Sequence, residues 1–206
     1  MKSAVLMLTF LLAISILPQG IFSIPSITAE SGRQTDLYTQ YPAPYGGQGP
    51  GQPSNPFRPL VEVFLYADVS YNSWPVAQKI VSFAIKHGTW DFILSGTTNS
   101  SGRALVKFVI PWLNEETEAK VVGIWNITAS VDIAGEIVKD TLWFYVLLSD
   151  LNSDGRVDIK DLAIVGVAYG SNPTLPTWNP IADINHDGKV DMHDLALVAK
   201  DYGWQM

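Results

Sequence analysis

Apolar residues alternate with other residues in the middle of the chain, between residues 60 and 149. In the first run, Val61, Val63 and Leu65 occupy every second position. Such alternation is typical of strands that bury one face. Because no helical pattern interrupts the series, we predict an antiparallel sandwich of about six or seven strands. Further runs rich in Val, Ile, Phe, Tyr, Trp and Thr cover residues 79–85, 89–95, 104–110, 120–131 and 136–147.

The chain from Asp150 onward follows a different pattern, in which one segment is written twice. Residues 150–170 match residues 183–203 at a constant offset of 33 positions. A match of this length indicates a duplicated structural unit. Each copy has an Asp-rich run and then an apolar run, at residues 161–169 and 194–202, that predicts a short helix. The candidate core residues of this part are Leu162, Val165, Tyr169, Leu195, Val198 and Tyr202.

The Asp-rich run of each copy has the spacing of a calcium-binding loop, and we name residues 150–161 loop 1 and residues 183–194 loop 2. Oxygen-bearing side chains stand at loop positions 1, 3, 5, 9 and 12, glycine stands at position 6, and position 7 offers its backbone carbonyl. This set suits a hard cation with six to eight oxygen ligands, so we predict two calcium ions. The predicted ligands are Asp150, Asn152, Asp154, Arg156, Asp158 and Asp161 in loop 1, and Asp183, Asn185, Asp187, Lys189, Asp191 and Asp194 in loop 2.

The alternative is a pair of Asp-rich turns without metal. Several carboxylates around one turn would then repel one another, because like charges at close range disfavour the ionised form. Position 12 is Asp in both copies, and this carboxylate is shorter than the Glu that is usual there. The duplication, with an apolar helix pattern after each loop, favours the calcium interpretation.

With these two loop–helix motifs, residues 150–206 resemble a dockerin domain, in which two such motifs follow each other without an entering helix. The resemblance implies calcium-dependent folding and docking to a cohesin module, in either of two orientations because the copies are nearly symmetric. Loop positions 10 and 11, which often carry Ser-Thr in bacterial dockerins, differ in this chain. The predicted partner-binding residues at these positions are Ile159, Lys160, Met192 and His193.

Three segments of the middle region resemble an immunoglobulin-like domain of the prokaryotic adhesin or macroglobulin type. They are residues 98–104, where a hairpin turn enters a strand, residues 108–111 and residues 123–129. This resemblance implies a spacer, adhesion or binding role without catalysis. The predicted fold class is therefore multidomain, with an all-β immunoglobulin-like sandwich at residues 60–149 and a small all-α dockerin-like domain at residues 150–206.

The N-terminal residues predict export. Lys2 precedes an almost unbroken apolar run at residues 4–17, so residues 1–23 are predicted to be a signal peptide or, alternatively, an uncleaved anchor. We therefore expect a secreted, extracellular protein or one anchored to the cell surface. Residues 24–59 are rich in Pro, Gly, Gln and Ser. They are either a flexible spacer or a long surface loop that follows a first edge strand at residues 36–41.

Composition narrows the functional classes. The chain has 20 acidic and 13 basic residues, for a formal net charge of −7, which gives no electrostatic case for binding nucleic acid. It has no cysteine, which excludes disulfides, Cys-type zinc sites and a Cys nucleophile. Two of the three histidines lie in the calcium repeat, so a Ser-His-Asp triad is not favoured and we predict no enzyme.

Two function classes follow from these features. The first is a secreted, non-catalytic protein that docks to a cohesin-like or other extracellular module, with the middle domain as spacer or ligand reader. The second is an extracellular protein for adhesion or polysaccharide binding, in which the calcium repeat only stabilises the C-terminus. The sequons at Asn99 and Asn126 predict N-glycosylation in a host that glycosylates secreted proteins.

Overall fold

The computed structural model describes residues 32–111 and 121–206. The predicted signal segment at residues 1–23 and the first residues of the predicted spacer lie outside this part. All named strands precede residue 147. They are β1 (Arg33–Thr39), β2 (Glu62–Tyr71), β3 (Trp74–Pro75), β4 (Ile80–His87), β5 (Trp90–Thr97), β6 (Arg103–Val109), β7 (Gly123–Ile133) and β8 (Glu136–Val146).

The strands form two antiparallel sheets of four strands each. In the first sheet β2 is central, because Ala67 lies opposite Leu37 of β1 on one side and opposite Ala104 of β6 on the other. The short strand β3 pairs with the end of β2. The second sheet has the order β5-β4-β7-β8, and β7 and β8 are joined by a tight hairpin. We call residues 33–146 the β-region.

The buried faces of both sheets form one hydrophobic cluster. Val63 and Leu65 of β2 and Phe83 of β4 are fully buried, whereas the residues between them face outward. Trp125 lies in this cluster, and its indole Nε1 donates to the Val121 carbonyl at 2.9 Å. A buried indole needs such a partner. The alternation in the sequence therefore corresponds to the burial pattern of the strands.

The segment between β1 and β2 runs along the edge of the second sheet. The N–H of Ser54 donates to the Trp143 carbonyl at 2.9 Å, and that of Phe57 donates to the Tyr145 carbonyl at 2.9 Å. These bonds occupy the free edge of β8 and carry the segment towards the C-terminal part of the chain. A strand, β1, precedes the segment, in the region where the sequence left a spacer and a strand as alternatives.

The C-terminal unit, which we define as residues 147–206, contains the helices α1 (Ile159–Ala168) and α2 (Met192–Asp201). Both begin two residues earlier than predicted, because the Asp at loop position 9 is the N-cap. In loop 1, Asp158 accepts the N–H of Lys160 at 2.8 Å, and the Asp at position 12 completes a capping box.

Within the described ranges, no helix is long and apolar enough to cross a membrane.

The predicted fold class was wrong in describing the C-terminal part as all-α. The described chain is mostly β, and the C-terminal unit contains two helices of 10 residues each, with loops and turns elsewhere. Two causes limit the helices. The Asp-rich loops direct their side chains to backbone N–H groups, which competes with helix formation. The linker at residues 171–182 contains prolines, which remove helical hydrogen bonds.

The C-terminal unit has a second hydrophobic cluster of its own. Val165 and Val198 are fully buried there, as predicted for core residues. Tyr169 and Tyr202, also predicted in the core, are instead 51% and 54% exposed. Each helix ends just before its tyrosine, which is the C-cap residue with an extended backbone. Loop and linker residues fill the core instead: Leu147, Leu148, Leu151, Val157, Ala182, Ile184 and Val190.

Candidate metal centre and docking surface

The Asp at position 12 holds each loop closed. Asp161 is fully buried; its Oδ1 accepts the N–H of Leu151 at 2.8 Å and its Oδ2 accepts the N–H of Asp158 at 2.8 Å. Asp194 makes the same two bonds in loop 2, with N···O distances of 2.7 and 2.8 Å. The carboxylate at position 12 therefore ties the start of each loop to the start of its helix.

The side chains at positions 1 and 3 point into the loop. In loop 1 the N–H of Asp154 lies 3.2 Å from Asp150 Oδ1 and 2.9 Å from Asn152 Oδ1. Asp150 also accepts the N–H of Gly155 at 3.0 Å, at a turn where φ is 84° and glycine is favoured. Loop 2 repeats these contacts at 3.1, 3.1 and 3.0 Å. Both loops thus bring the oxygens of positions 1 and 3 together.

The buried carboxylates of each loop are energetically disfavoured as anions. Burial raises the pKa of Asp150 to about 6, and the nearby charge of Asp161 adds to this effect. Burial also raises the pKa of Asp183, again with a contribution from Asp194. Buried like charges are costly unless a cation compensates them. The electrostatics of both loops therefore favour a bound cation.

The residue at position 11 distinguishes the two loops. In loop 1 the ammonium of Lys160 lies 2.7 Å from Asp154 Oδ2 and 4.0 Å from Asp158 Oδ2. The ion pair with Lys160 lowers the pKa of Asp154. In loop 2 the corresponding His193 contacts Asp191 Oδ1 through Nδ1 at 3.1 Å. A lysine thus engages the position 5 carboxylate of loop 1, whereas loop 2 has no lysine at this position.

The donor set of both loops fits calcium. Among residues 32–111 and 121–206, no group of three or more His, Cys, Asp and Glu side chains could hold a metal ion. The predicted sites therefore depend also on amide and backbone oxygens, from Asn152 and the Arg156 carbonyl in loop 1 and from Asn185 and the Lys189 carbonyl in loop 2. Oxygen donors of these kinds are the ones that calcium takes. A bound calcium ion would supply the positive charge that lets the carboxylates stay ionised. The number of calcium ions per chain stays a prediction.

The four predicted partner-binding residues lie on the outer surface of the C-terminal unit. Ile159 is 65% exposed and Met192 is 60% exposed. The side chains of Lys160 and His193 are 63% and 80% exposed. The first two residues of both helices are therefore exposed.

Each loop pairs with the segment that follows the helix of the other copy. The N–H of Val157 donates to the Trp204 carbonyl at 2.9 Å, and its carbonyl accepts the N–H of Gly203 at 2.9 Å. Val190 pairs in the same way with residues 170–171, at 3.0 and 2.8 Å. The two copies therefore form one interlocked unit.

The C-terminal unit contacts the β-region through its loops and tail. The rings of Tyr145 and Trp204 lie 5.2 Å apart, and the N–H of Leu147 donates to the Phe57 carbonyl at 3.0 Å. The loop 1 backbone also accepts a bond of 3.5 Å from Asn55, at the Ser153 carbonyl. These contacts leave the first turns of α1 and α2 uncovered.

The predicted glycosylation residues are both exposed. Asn99 lies in the turn before β6, where its Oδ1 accepts the N–H groups of Ser101 and Arg103 at 2.9 and 3.0 Å. Asn126 lies on β7. Glycosylation of either residue stays a prediction.

A shallow groove beside α1 was missed by the sequence-based prediction. It has a volume of about 400 Å³ and is lined by Lys160, Ala163, Ile164, Val167 and Asn179. Comparison of the two copies holds a signal for it. Val167, which is 80% exposed, corresponds to Lys200, so the copies differ in charge at this exposed position.

Comparison with known proteins identifies the class of the C-terminal unit. Residues 148–201 match the family model of the dockerin type I domain. The predicted dockerin resemblance is thus confirmed for these residues. Dockerin type I domains bind calcium and cohesin modules, and the match supports a docking module in this part of the chain. The family match does not extend to the β-region, whose immunoglobulin-like resemblance stays a prediction. A search of curated proteins gives no match.

Several solved structures are similar to the chain at low identity. A mutant type II cohesin–X–dockerin complex from Acetivibrio cellulolyticus is 17% identical, with a TM-score of 0.28, and the match covers 61% of this chain and 83% of that one. The endo-beta-1,4-mannanase from Thermotoga petrophila is 14% identical, with a TM-score of 0.33 and coverage of 58% and 21%. An engineered protein is 11% identical, with a TM-score of 0.35, and the match covers 55% of this chain and 20% of that protein. Such low TM-scores do not support an inference about function.

Proposed function

We propose that this protein is a secreted, non-catalytic docking protein whose C-terminal unit holds two calcium ions and binds a cohesin-like module outside the cell. The β-region serves as the spacer or ligand reader that is carried to the partner. Calcium keeps the buried carboxylates of both loops ionised and thereby fixes the starts of α1 and α2. The helix starts then present the partner-binding residues.

One observation carries this proposal. The loop residues at positions 10 and 11 are exposed in both copies, beside helices whose Val165 and Val198 are fully buried in the core of the C-terminal unit. Ile159 and Met192 are large apolar side chains that remain more than half exposed. Exposed apolar residues beside a rigid turn are typical of a protein–protein contact.

A second candidate function rests on the contacts with the β-region. Tyr145 packs on Trp204, and Leu147 and Leu148 belong to the core of the C-terminal unit. In this view calcium only secures the C-terminus, and adhesion or polysaccharide binding resides in the β-region. The two functions predict different effects of chelation. If calcium only secures the C-terminus, chelation should destabilise the β-region. If the C-terminal unit docks, chelation should release a partner.

The test measures binding of the full chain to a panel of immobilised recombinant type I cohesin modules. We expect at least one module to bind in calcium and to release the chain in a chelator. Charging both helix starts, by Ile159→Arg with Met192→Arg, should weaken binding by about a hundredfold or more, because charge is placed in an apolar contact. Ile137→Arg, at an equally exposed residue of β8, is the matched control and should leave binding unchanged.

Two outcomes would contradict the docking function. One is that the chain binds none of the cohesin modules in calcium. The other is that Ile159→Arg with Met192→Arg binds as well as the native chain. If chelation then lowers the melting temperature of the β-region without any loss of a partner, calcium only secures the C-terminus and the second candidate function is the correct one.

A further inference from the structure

The outward faces of α1 and α2 differ, although the helices are copies of each other. Val167 of α1 is 80% exposed. At the corresponding position α2 has Lys200, which is also exposed. The last turn of α1 therefore exposes an apolar side chain, whereas the last turn of α2 exposes a charged one.

The linker between the copies makes the difference larger. Its residue Asn179 forms one wall of the groove whose other wall is Ile164 and Val167 of α1. The neighbouring Trp178 packs against the core of the C-terminal unit, which fixes this wall in place. The residues that follow α2 pair with loop 1 instead, through the Trp204 carbonyl. The duplication thus supplies two helices, and the linker forms a groove with α1.

Lys160 connects this groove to loop 1. Its side chain lines the groove and its ammonium lies 2.7 Å from Asp154, the position 5 carboxylate. A calcium ion in loop 1 would compete for that carboxylate. The ammonium would then be available to a group outside the loop, so calcium binding prepares a positive charge at the rim of an apolar groove.

We propose that docking occurs in one orientation, through the α1 groove, and not in either of two orientations as the near-symmetry of the copies implies. This inference rests on the proposed docking function and specifies it. The partner is a cohesin-like module that inserts an apolar side chain between α1 and Asn179 and places a carboxylate near Lys160. Charge complementarity and shape select α1, because α2 places Lys200 where the groove needs an apolar residue.

The test exchanges the two residues that distinguish the helices. With a cohesin module that binds the native full chain in calcium, Val167→Lys should weaken binding by about thirtyfold or more, since a charge would enter the apolar contact. Lys200→Val is the matched variant and should change affinity less than about threefold. Both residues are exposed, so circular dichroism in calcium should be the same for the two variants and the native chain.

Three results would overturn the inference in distinguishable ways. Equal losses for Val167→Lys and Lys200→Val would show that both helices dock. No loss for Val167→Lys, with native binding intact, would show that the groove is not the contact. Failure of the native chain to bind any cohesin module would instead overturn the docking function, and the single orientation with it.

Discussion

Loop 1 and loop 2 carry the same ligands at the same spacing but lie in different surroundings. Their internal hydrogen bonds agree closely, as the position 12 contacts of 2.8 Å in loop 1 and 2.7 and 2.8 Å in loop 2 show. Their neighbours differ. Lys160 binds the position 5 carboxylate of loop 1, whereas His193 contacts the position 9 carboxylate of loop 2.

The β-region places one arginine, Arg58, near both loops. The charge of Asp150 acts on Arg58: burial lowers the pKa of Arg58, and Asp150 raises it. The Nε of Arg58 is buried and has no hydrogen-bond partner among the residues that the structure describes. Loop 2 meets the same arginine across a small cavity that Asp183 and His186 also line. The duplication therefore preserves the internal hydrogen bonds of a loop, whereas the residue at position 11 differs and changes the charges beside the site.

The largest effect should come from the position 12 carboxylates, where the loops are most alike. Asp161→Ala and Asp194→Ala each leave buried N–H groups without an acceptor, so each should destabilise the C-terminal unit by about 3–5 kcal/mol, and by similar amounts. Urea titration followed by far-UV circular dichroism measures the loss. The control is Asp91→Ala, which removes an exposed ion pair with Lys86 and should cost less than about 1 kcal/mol.

A large difference between the destabilisation by Asp161→Ala and that by Asp194→Ala would contradict the expectation that the two loops are alike at position 12. It would mean that the environment of the loops, and not only their internal bonds, determines the contribution of position 12. A loss no greater than that of Asp91→Ala would show that the carboxylates do not hold the loops closed.

The next largest effect should be the pH dependence of calcium binding by loop 1. The pKa of Asp150 is raised to about 6, above the value of 3.8 for the unfolded chain. The calcium-free protein should therefore lose stability as pH rises from about 4 to about 6, and little more above that. Calcium needs the ionised carboxylate, so the affinity of loop 1 should fall by up to about tenfold per pH unit below about 6.

Calorimetric titrations at about pH 5, 6 and 7 measure this dependence. The chain with Asp187→Ala reports loop 1, and the chain with Asp154→Ala reports loop 2. Affinity of loop 1 that is constant over this range would contradict the buried position of Asp150.

The smallest effect should come from the lysine at position 11. Lys160→Gln removes the cation that competes with calcium for Asp154, so loop 1 should bind calcium about two- to fivefold more tightly, as expected for an exposed ion pair. The matched variant His193→Gln should leave calcium binding by loop 2 unchanged, because His193 contacts the position 9 carboxylate and not the position 5 carboxylate. A weaker loop 1 after Lys160→Gln would show that the lysine supports the site.

The sequence predicted the features that are local and repeated. The spacing of Asp150, Asn152 and Asp154 identified the loops, and alternation in runs such as β2 identified buried strand faces. The starts of the helices were predicted too late because the Asp at position 9 serves as N-cap as well as predicted ligand. The Asp residues at positions 9 and 12, with the apolar run after them, also have the spacing of a capping box, but the sequence analysis interpreted them as metal ligands.

The features that were missed depend on distant parts of the chain. Tyr169 and Tyr202 were placed in the core, but the helices end before them and loop residues such as Val157 fill the space. The groove beside α1 depends on Asn179 of the linker. No periodicity in a single sequence brings a linker and a helix together, so such surfaces emerge only from the folded structure.

The account depends most directly on two unequal calcium sites. Calorimetric titration of the native full chain with calcium should give two ions. Asp154→Ala and Asp187→Ala should each leave one, and the site left in Asp187→Ala, which is loop 1, should be the weaker because the Lys160 ammonium lies 2.7 Å from Asp154 Oδ2. No calcium binding by the native chain, or two ions bound by either variant, would contradict the account.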